Sequence, residues 1–359
     1  MTINAKTLFD PSLEKDNCGF GLIAQRNGKR SRKLVKKSIL GLTSMTHRGA
    51  IGADGKTGDG CGLLFDLNHS FFKLKVDKEL DVELPDFFAV AQLFHKNDID
   101  FYYSSIRKFL NSQDLDIAVT RSVPVNNEVL GKIARQNLPN ISQVFITSKN
   151  TNLNKERFEA CLLQARKFIE EKFDNDEEFY VCSMSTQTIV YKGLMLPSAI
   201  DEFYLDLKDK KFEAKICLFH QRFSTNTLPR WHLAQPFRLL AHNGEINAIR
   251  GNRNWAKARK SKFSTALIPE ITTFKNLVNE KGSDSSALDN MIEILVKGGI
   301  NTFRALRMVL PPAWQNIHMM DPEIKSFHEY NSMHMEAWDG PAGIVMSDGR
   351  WAICLLDRN

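Results

Sequence analysis

Long apolar runs, closely spaced cysteines and a large excess of one charge are all missing from this 359-residue sequence. No stretch approaches the ~20 apolar residues that a membrane-spanning helix needs, and the N-terminus lacks the apolar core of a secretory signal. The six cysteines include no CxxC pair, which argues against a zinc site or a dense disulfide framework. A net charge of +6 gives no support for nucleic-acid binding at this length. We therefore expect a soluble, cytoplasmic protein with buried thiols and with neither a nucleic-acid nor a membrane partner.

The chain contains a mixture of short strand-like and helix-like segments. Apolar residues at helical spacing predict helices at 34–45, after an N-cap at Asn154, and from Ser283 or Asp284 to Gly298. Strands are predicted at 18–25, 87–94, 181–191 and 215–220, with a hairpin turning at 347–349. The segment 98–154 is the most polar and least regular, as an insertion would be. Closely spaced strands mixed with helices predict an α+β fold.

Two glycine-rich segments near the N-terminus could carry chemistry. The first, DNCGFG at 16–21, opens a strand with Cys18, and such a cysteine is more often a packed thiol than a nucleophile. The second, HRGA followed by DGKTGDGCG at 47–62, is typical of a mobile loop or a cluster of turns. The residue order of a phosphate-binding loop is absent from it. Histidines at 318, 328 and 334 have irregular spacing, so no metal site is predicted.

Two later segments place polar groups beside predicted strands. HQRFSTNT at 220–227 puts Arg222 at a strand end, where its guanidinium could bind a carboxylate or form a surface salt bridge. AHNGEIN at 241–247 contains Asn243 and Gly244, which could offer a side-chain amide and a backbone N–H to an oxyanion. On local grounds alone this Asn-Gly pair favours a type I′ hairpin turn.

Taken together, these segments resemble one family, in the same order along the chain. With RGNRNW, GSDSSALDN and MEAWDGPAGIVMSDGRWA further on, they are similar to the N-terminal glutamine amidotransferase domain of the glutamate synthase large subunit. That domain is of the N-terminal-nucleophile type. The resemblance runs from about residue 10 to Asn359 and is weakest around 98–154. It implies a four-layer αββα sandwich, in which two antiparallel sheets pack face to face between helices.

The resemblance also implies that the chain is processed. Residues 1–17 would be a propeptide, and 18–359 would form one amidotransferase domain with Cys18 as its first residue. A thiol of ordinary pKa needs a base at neutral pH, and a free α-amino group with a pKa of about 8 can be that base. Before processing, the nitrogen of Cys18 is an amide and cannot accept a proton. The unprocessed chain is therefore expected to be inactive as a glutaminase.

Catalytic roles follow from the same resemblance. Cys18 would attack the side-chain amide of L-glutamine and form a glutamyl thioester with release of ammonia. Asn243 and the N–H of Gly244 would stabilise the tetrahedral oxyanion. Water would then hydrolyse the thioester to glutamate.

Substrate-binding roles are implied for four further residues. Arg222 would bind the α-carboxylate of glutamine, with Thr225 nearby, and Asp284 would bind the α-ammonium group. Arg48 would order the surroundings of the nucleophile. No cofactor or metal is expected within this chain.

The family's remaining chemistry lies beyond Asn359, so the chain is expected to be a C-terminally truncated fragment. The synthase domains there would carry FMN and a 3Fe-4S cluster and would convert 2-oxoglutarate and ammonia into glutamate. Electrons would come from NADPH or ferredoxin, and a small reductase subunit carrying FAD and NADPH is an expected partner. Two alternatives stay open: another class II amidotransferase, such as amidophosphoribosyltransferase or asparagine synthetase, and a non-catalytic glutamine-sensing module.

Overall fold

A computed structural model describes residues 19–150, 153–222 and 228–357. The described part combines helices with antiparallel sheets, consistent with the predicted α+β class. The strands are β1 Phe20–Ala24, β2 Cys61–Asp66, β3 Ala89–His95, β4 Leu115–Ser122, β5 Asn140–Ser148, β6 Tyr180–Ser185, β7 Thr188–Gly193, β8 Ile216–Gln221, β9 Leu240–Gly244, β10 Ala342–Ser347 and β11 Ala352–Asp357. The helices are α1 Arg32–Ser44, α2 His69–Leu80, α3 Ile99–Asn111, α4 Lys132–Gln136, α5 Lys155–Lys172, α6 Ile200–Phe203, α7 Ile249–Arg259, α8 Asp284–Lys297, α9 Thr302–Val309 and α10 Pro322–Ser332.

The strands form three antiparallel sheets. The first has the order β1-β8-β2-β7, the second β11-β10-β9, and the third β4-β5-β3-β6. In the first sheet Phe20 pairs with His220, and in the second Asn243 pairs with Gly343. These registers matter because residues of the predicted site lie at the ends of β1, β8 and β9.

The first and second sheets share a layer of buried apolar side chains. Buried apolar side chains from both sheets form a single cluster between them, namely Leu64, Val190, Leu218, Ala241 and Val345. Burying a side chain as large as valine or leucine contributes about 1.5–3 kcal/mol. This shared layer therefore holds β8 of one sheet against β9 of the other.

Helices α1 and α8 pack on the strands of these two sheets. Helix α1 packs on β1 and β8, and it begins where the hydroxyl of Ser31 accepts the N–H of Leu34 at 3.2 Å. Helix α8 packs on β9, and its apolar residues join Leu240 and Ile344 in one core cluster. The predicted start of α8 is confirmed, because the Ser283 hydroxyl accepts the N–H of Ser286.

The third sheet shows that the prediction of an irregular segment at 98–154 was wrong. Helix α3 and strands β4 and β5 lie in this segment, and β5 pairs with both β4 and β3. Helices α3 and α5 cover the sheet with buried side chains that include Tyr102, Ile106 and Leu162. Polar residues at the exposed positions of these helices and strands make the segment polar overall, and this polarity conceals the regular secondary structure.

A second correction concerns 181–191, which forms two strands rather than one. The chain reverses at Thr186 and Gln187, between β6 and β7. The carboxylate of Glu159, on α5, accepts hydrogen bonds from the Thr186 N–H at 2.6 Å and the Ser185 hydroxyl at 3.0 Å. The ammonium of Lys297 pairs with the same carboxylate. The buried carboxylate of Glu159 thus holds a turn that contains no glycine or proline.

Other predicted elements are confirmed. Asn154 caps α5 by accepting the N–H of Arg157 at 2.8 Å, and the last hairpin turns at Gly349, whose φ is 81°. Within the described residues the cysteines are free, and all but Cys354 are buried. No helix in this part of the chain is long and apolar enough to cross a membrane.

Candidate active site

A cavity of about 450 Å³ opens where β1, β8 and β9 end. It brings together five residues predicted from separate segments, with Gly19 beside them: Arg48, Arg222, Asn243, Gly244 and Asp284. Cys18 and Thr225, also predicted for this site, lie outside the described residues. A larger cavity of about 930 Å³ borders 137–140 and 228–232 but contains none of the predicted site residues.

Gly19, the residue that follows Cys18 in the sequence, packs tightly against β8 and β9. Its carbonyl accepts the N–H of Gln221 at 2.6 Å. A Cβ added at Gly19 would lie 2.6 Å from the Gln221 carbonyl oxygen and 3.5 Å from Oδ1 of Asn243. The absence of a side chain therefore lets the N-terminal end of β1 approach the amide of Asn243.

Asn243 and Gly244 are the last two residues of β9, so the local prediction of a hairpin turn was wrong. They pair with Gly343 and Ala342 of β10, about one hundred residues later in the chain. Gly244 has a φ of 144°, and a Cβ there would collide with the carbonyl oxygen of Pro341. This backbone requires glycine, and it presents the Asn-Gly pair at the cavity.

Arg222 follows β8 directly, and a hydrogen bond from its backbone fixes its position. Its N–H donates to the carbonyl of Gly60 at 2.9 Å, in the glycine-rich segment for which the sequence left open a mobile loop or a cluster of turns. Burial lowers the pKa of the Arg222 guanidinium and the charge of Asp59 opposes that shift. Since an arginine stays protonated in proteins, a fixed positive charge lines the cavity.

The glycine-rich segment around Arg48 is an ordered turn structure. Asp54 accepts hydrogen bonds from the N–H groups of Thr57 at 2.8 Å and Ile133 at 3.0 Å, and these hydrogen bonds hold its pKa well below the ordinary value. Arg48 itself ends a short helical turn at 46–48 and is exposed at the cavity. A Cβ on the following Gly49 would collide with the side-chain amide of Gln221.

Asp284 is the first residue of α8 and faces the loop after β9. Its Oδ2 accepts the N–H of Ile246 at 2.8 Å, and its Oδ1 accepts the N–H of Ser285 at 2.7 Å. The carboxylate is half-buried at a helix N-terminus, where the helix dipole favours a negative charge. It is therefore oriented before any substrate arrives.

Several residues that position the site were not identified from the sequence. Both backbone polar groups of His242 are bound by the side-chain amide of Gln235, at 2.8 Å for the N–H and 3.1 Å for the carbonyl. The Nδ1 atom of His242 lies 2.8 Å from the hydroxyl of Ser285. His220, buried on β8 of the first sheet, has its pKa lowered to about 3 by burial and by His242. His242 and His220 lie within segments singled out above, but these segments do not specify their partners.

Asp289 is a further residue without a sequence signature. It lies fully buried in α8 and accepts the N–H groups of Arg238, Leu239 and Leu240, at 3.3, 2.9 and 3.2 Å. Burial and the nearby Glu293 raise its pKa to about 6. No local pattern singles it out, because its neighbours on the same face of α8, Ser285, Ser286 and Glu293, are polar as well. Asp289 holds the start of β9, and Asp284 holds the loop after it.

Comparison with known proteins identifies the family to which this site belongs. The family model described as class-II glutamine amidotransferases matches residues 18–359. The chain belongs to this family. A class II glutamine amidotransferase is an enzyme domain, and the resemblance drawn from the sequence is confirmed.

Relatives of this amidotransferase domain include glutamate synthases. It is 37% identical over 98% of the chain to glutamate synthase (NADH) of Saccharomyces cerevisiae. It is 38% identical over 99% of the chain to the glutamate synthase (NADPH) large chain of Bacillus subtilis. It is also 38% identical, over 96% of the chain, to ferredoxin-dependent glutamate synthase of Cyanidium caldarium. The chain spans 17%, 24% and 23% of the lengths of these three proteins.

Proposed function

We propose that this domain hydrolyses L-glutamine to glutamate and ammonia, with Cys18 as the nucleophile. The observation that carries the proposal is the meeting, in one cavity, of Gly19 with Arg222, Asn243, Gly244 and Asp284. A positive group, a negative group and an Asn-Gly pair match the α-carboxylate, the α-ammonium and the amide carbonyl of glutamine. Gly19, the residue next to the proposed nucleophile, lines the same cavity.

The reaction would proceed through a thioester. The free α-amino group of processed Cys18 takes the thiol proton, and the thiolate attacks the side-chain carbonyl of glutamine. Asn243 Nδ2 and the N–H of Gly244 donate to the resulting oxyanion. Collapse of the tetrahedral intermediate breaks the C–N bond, the leaving nitrogen takes a proton and departs as ammonia, and water then cleaves the thioester.

Substrate recognition would be divided between two elements. Arg222 at the end of β8 binds the α-carboxylate, with Thr225 nearby, and Asp284 at the start of α8 binds the α-ammonium group. Arg48 orders the surroundings of the nucleophile. Removal of residues 1–17 creates the amino group that serves as the base, leaving 18–359 as the working domain.

We infer that α1, the first sheet, the second sheet and α8 are the layers of the αββα sandwich. Their packing in that order supports the inference. The long chains of the relatives support a further proposal, that the whole enzyme is a glutamate synthase in which synthase domains use the ammonia with 2-oxoglutarate. We also place the domain in the reducing cytoplasm, since its described cysteines are free and mostly buried.

A 3Fe-4S cluster does not fit the described residues. No three His, Cys, Asp or Glu side chains in the described ranges are grouped to hold a metal. We assign this cluster, FMN, the NADPH or ferredoxin electron donor and any small FAD-carrying reductase subunit to the remainder of the full enzyme.

The test is a glutaminase assay on the processed chain and on Cys18→Ala. Intact mass first establishes whether residues 1–17 have been removed, and ammonia and glutamate are then measured. We expect equal amounts of both products from the wild type and none from Cys18→Ala. Glutamine binding without ammonia release by the processed wild type would instead favour the sensing module.

A further inference from the structure

The hydroxyl of Ser285 lies between two groups of the site that have different proposed tasks. Its oxygen is 2.8 Å from Nδ1 of His242 and 3.2 Å from Oδ1 of Asp284. Ser285 and His242 are 5% and 2% exposed, so these contacts are shielded from water. A hydroxyl both donates and accepts, and it can therefore serve both neighbours at once.

The two neighbours of this hydroxyl, His242 and Asp284, belong to separate parts of the proposed reaction. His242 immediately precedes Asn243 and Gly244 on β9, so the orientation of its backbone sets that of the oxyanion donors. Asp284 is the proposed ammonium ligand. Among the described residues, the hydrogen bond between the Ser285 hydroxyl and Nδ1 connects the side chain of His242 to the start of α8.

We propose that Ser285 is a positioning residue that, through His242, holds the oxyanion donors of β9 in register with the ammonium site of α8. This inference rests on the glutaminase function proposed above. Asp284 keeps two backbone partners, the N–H groups of Ser285 and Ile246, whatever residue 285 carries as a side chain. His242 has no comparable substitute for the hydroxyl at Nδ1. Loss of the hydroxyl therefore affects the oxyanion donors more than the binding of the substrate.

The test compares Ser285→Ala with Ser286→Ala in the processed enzyme. Ser286 is the next residue of α8 and is equally buried, but its hydroxyl bonds the carbonyl of Ser283 and the amide of Asn279, away from His242. We expect Ser285→Ala to lower kcat about tenfold with KM changed less than about twofold, the size of effect that one lost hydrogen bond produces. Ser285→Thr, which keeps the hydroxyl, is expected to restore kcat, and Ser286→Ala to leave both constants unchanged.

A second variant covers the case in which Ser285→Ala fails to fold. His242→Gln removes the same contact without changing α8, and it is expected to lower kcat with little change in KM. Where Ser285→Ala folds, the double variant should lose no more activity than His242→Gln alone, because both substitutions break one link. Additive losses, an unchanged kcat, or a rise in KM equal to the loss in kcat would overturn the positioning role. An inactive processed wild type would count against the glutaminase function instead. The ¹⁵N resonances of the His242 imidazole should shift in Ser285→Ala but not in Ser286→Ala. This measurement detects the loss of the hydrogen bond and does not require an active enzyme.

Discussion

The backbone N–H of Ile246 donates a 2.8 Å hydrogen bond to the carboxylate of Asp284. This bond joins the first turn of α8 to the loop after β9, at the point where the ammonium group of glutamine is proposed to bind. The remaining acceptor capacity of the carboxylate faces the cavity. Asp284 thus has a structural contact and a proposed substrate contact, which substitution can separate.

Asp284→Asn is expected to raise KM for glutamine about 10–100-fold with a smaller change in kcat. The amide keeps the shape and one acceptor oxygen, but it loses the charge, and hydrogen bonds to charged groups contribute about 1.5–3 kcal/mol. Steady-state ammonia release measures the effect. Asp321→Asn is the matched control, because Asp321 also stands at a helix N-terminus but is exposed and remote from the cavity. Equal KM values for the two variants would rule out the ammonium role.

Arg222→Lys is expected to raise KM about tenfold and to change kcat less. Lysine keeps the charge but cannot bind both carboxylate oxygens with a planar pair of N–H groups. The control is Arg230→Lys, since Arg230 is half exposed and pairs with exposed Glu177. An unchanged KM for Arg222→Lys would count against carboxylate binding at this position.

Asn243→Ala is expected to lower kcat about 10²–10³-fold, as removal of one oxyanion donor does in other enzymes. The side chain lies at the end of β9 and its loss leaves the strand pairing with β10 intact. Asn243→Asp, of nearly the same shape, should be at least as slow because a carboxylate repels the oxyanion. A loss of less than about threefold in Asn243→Ala would be too small for an oxyanion donor.

Gly244→Ala and Gly251→Ala are expected to have opposite effects on stability. Gly244 has a φ of 144° and no room for a Cβ beside Pro341, whereas a Cβ on Gly251, inside α7, meets nothing within 4 Å. Gly244→Ala should lower the free energy of unfolding by about 1–3 kcal/mol and abolish most activity. Gly251→Ala should raise the free energy of unfolding by about 0.5–1 kcal/mol and leave activity unchanged. Denaturant unfolding followed by circular dichroism checks both, and equal stabilities would contradict the strained backbone at Gly244.

Asp289 predicts a pH dependence of stability. Burial raises its pKa in the folded protein from 3.8 to about 6, despite its hydrogen bonds and the nearby Arg238. A raised folded-state pKa means that the stability from the protonated group is complete below about pH 4 and is lost as the pH rises through 6. The unfolding free energy of the wild type minus that of Asp289→Asn should therefore fall by up to about 3 kcal/mol between pH 4 and pH 7. A difference that stays constant over this range would show that the pKa is not raised.

The sequence predicts an element well where a local cap or turn residue defines it. Asn154 and Ser283 begin α5 and α8, and Gly349 turns the last hairpin, because each acts on its own neighbours. The turn at Thr186 could not be predicted, since its partner is the carboxylate of Glu159 on another element. The same holds for Asn243, whose pairing with β10 prevails over the turn preference of Asn-Gly.

For the site, the sequence identifies the groups that would meet the substrate but not those that hold them. Arg222 and Asp284 stand out as charges at element ends beside motif residues. Ser285, Gln235 and Asp289 act through contacts with β9 and the residues before it, which are 7 to 51 positions away in the sequence. The contacts of Ser285 and Asp289 depend on how α8 crosses the second sheet, and no local pattern encodes that crossing.

Both ends of β9 are attached to the same helix, α8. The number of residues between the two attachment points in α8 is therefore as important as the identity of the attached side chains. Asp289 holds the residues that enter β9, and Asp284 holds the loop that leaves it. One residue inserted between them would rotate one carboxylate by about 100° relative to the other and shift it by about 1.5 Å along the axis. Both ends could not then be held together. This stretch of α8 should therefore accept no change in length.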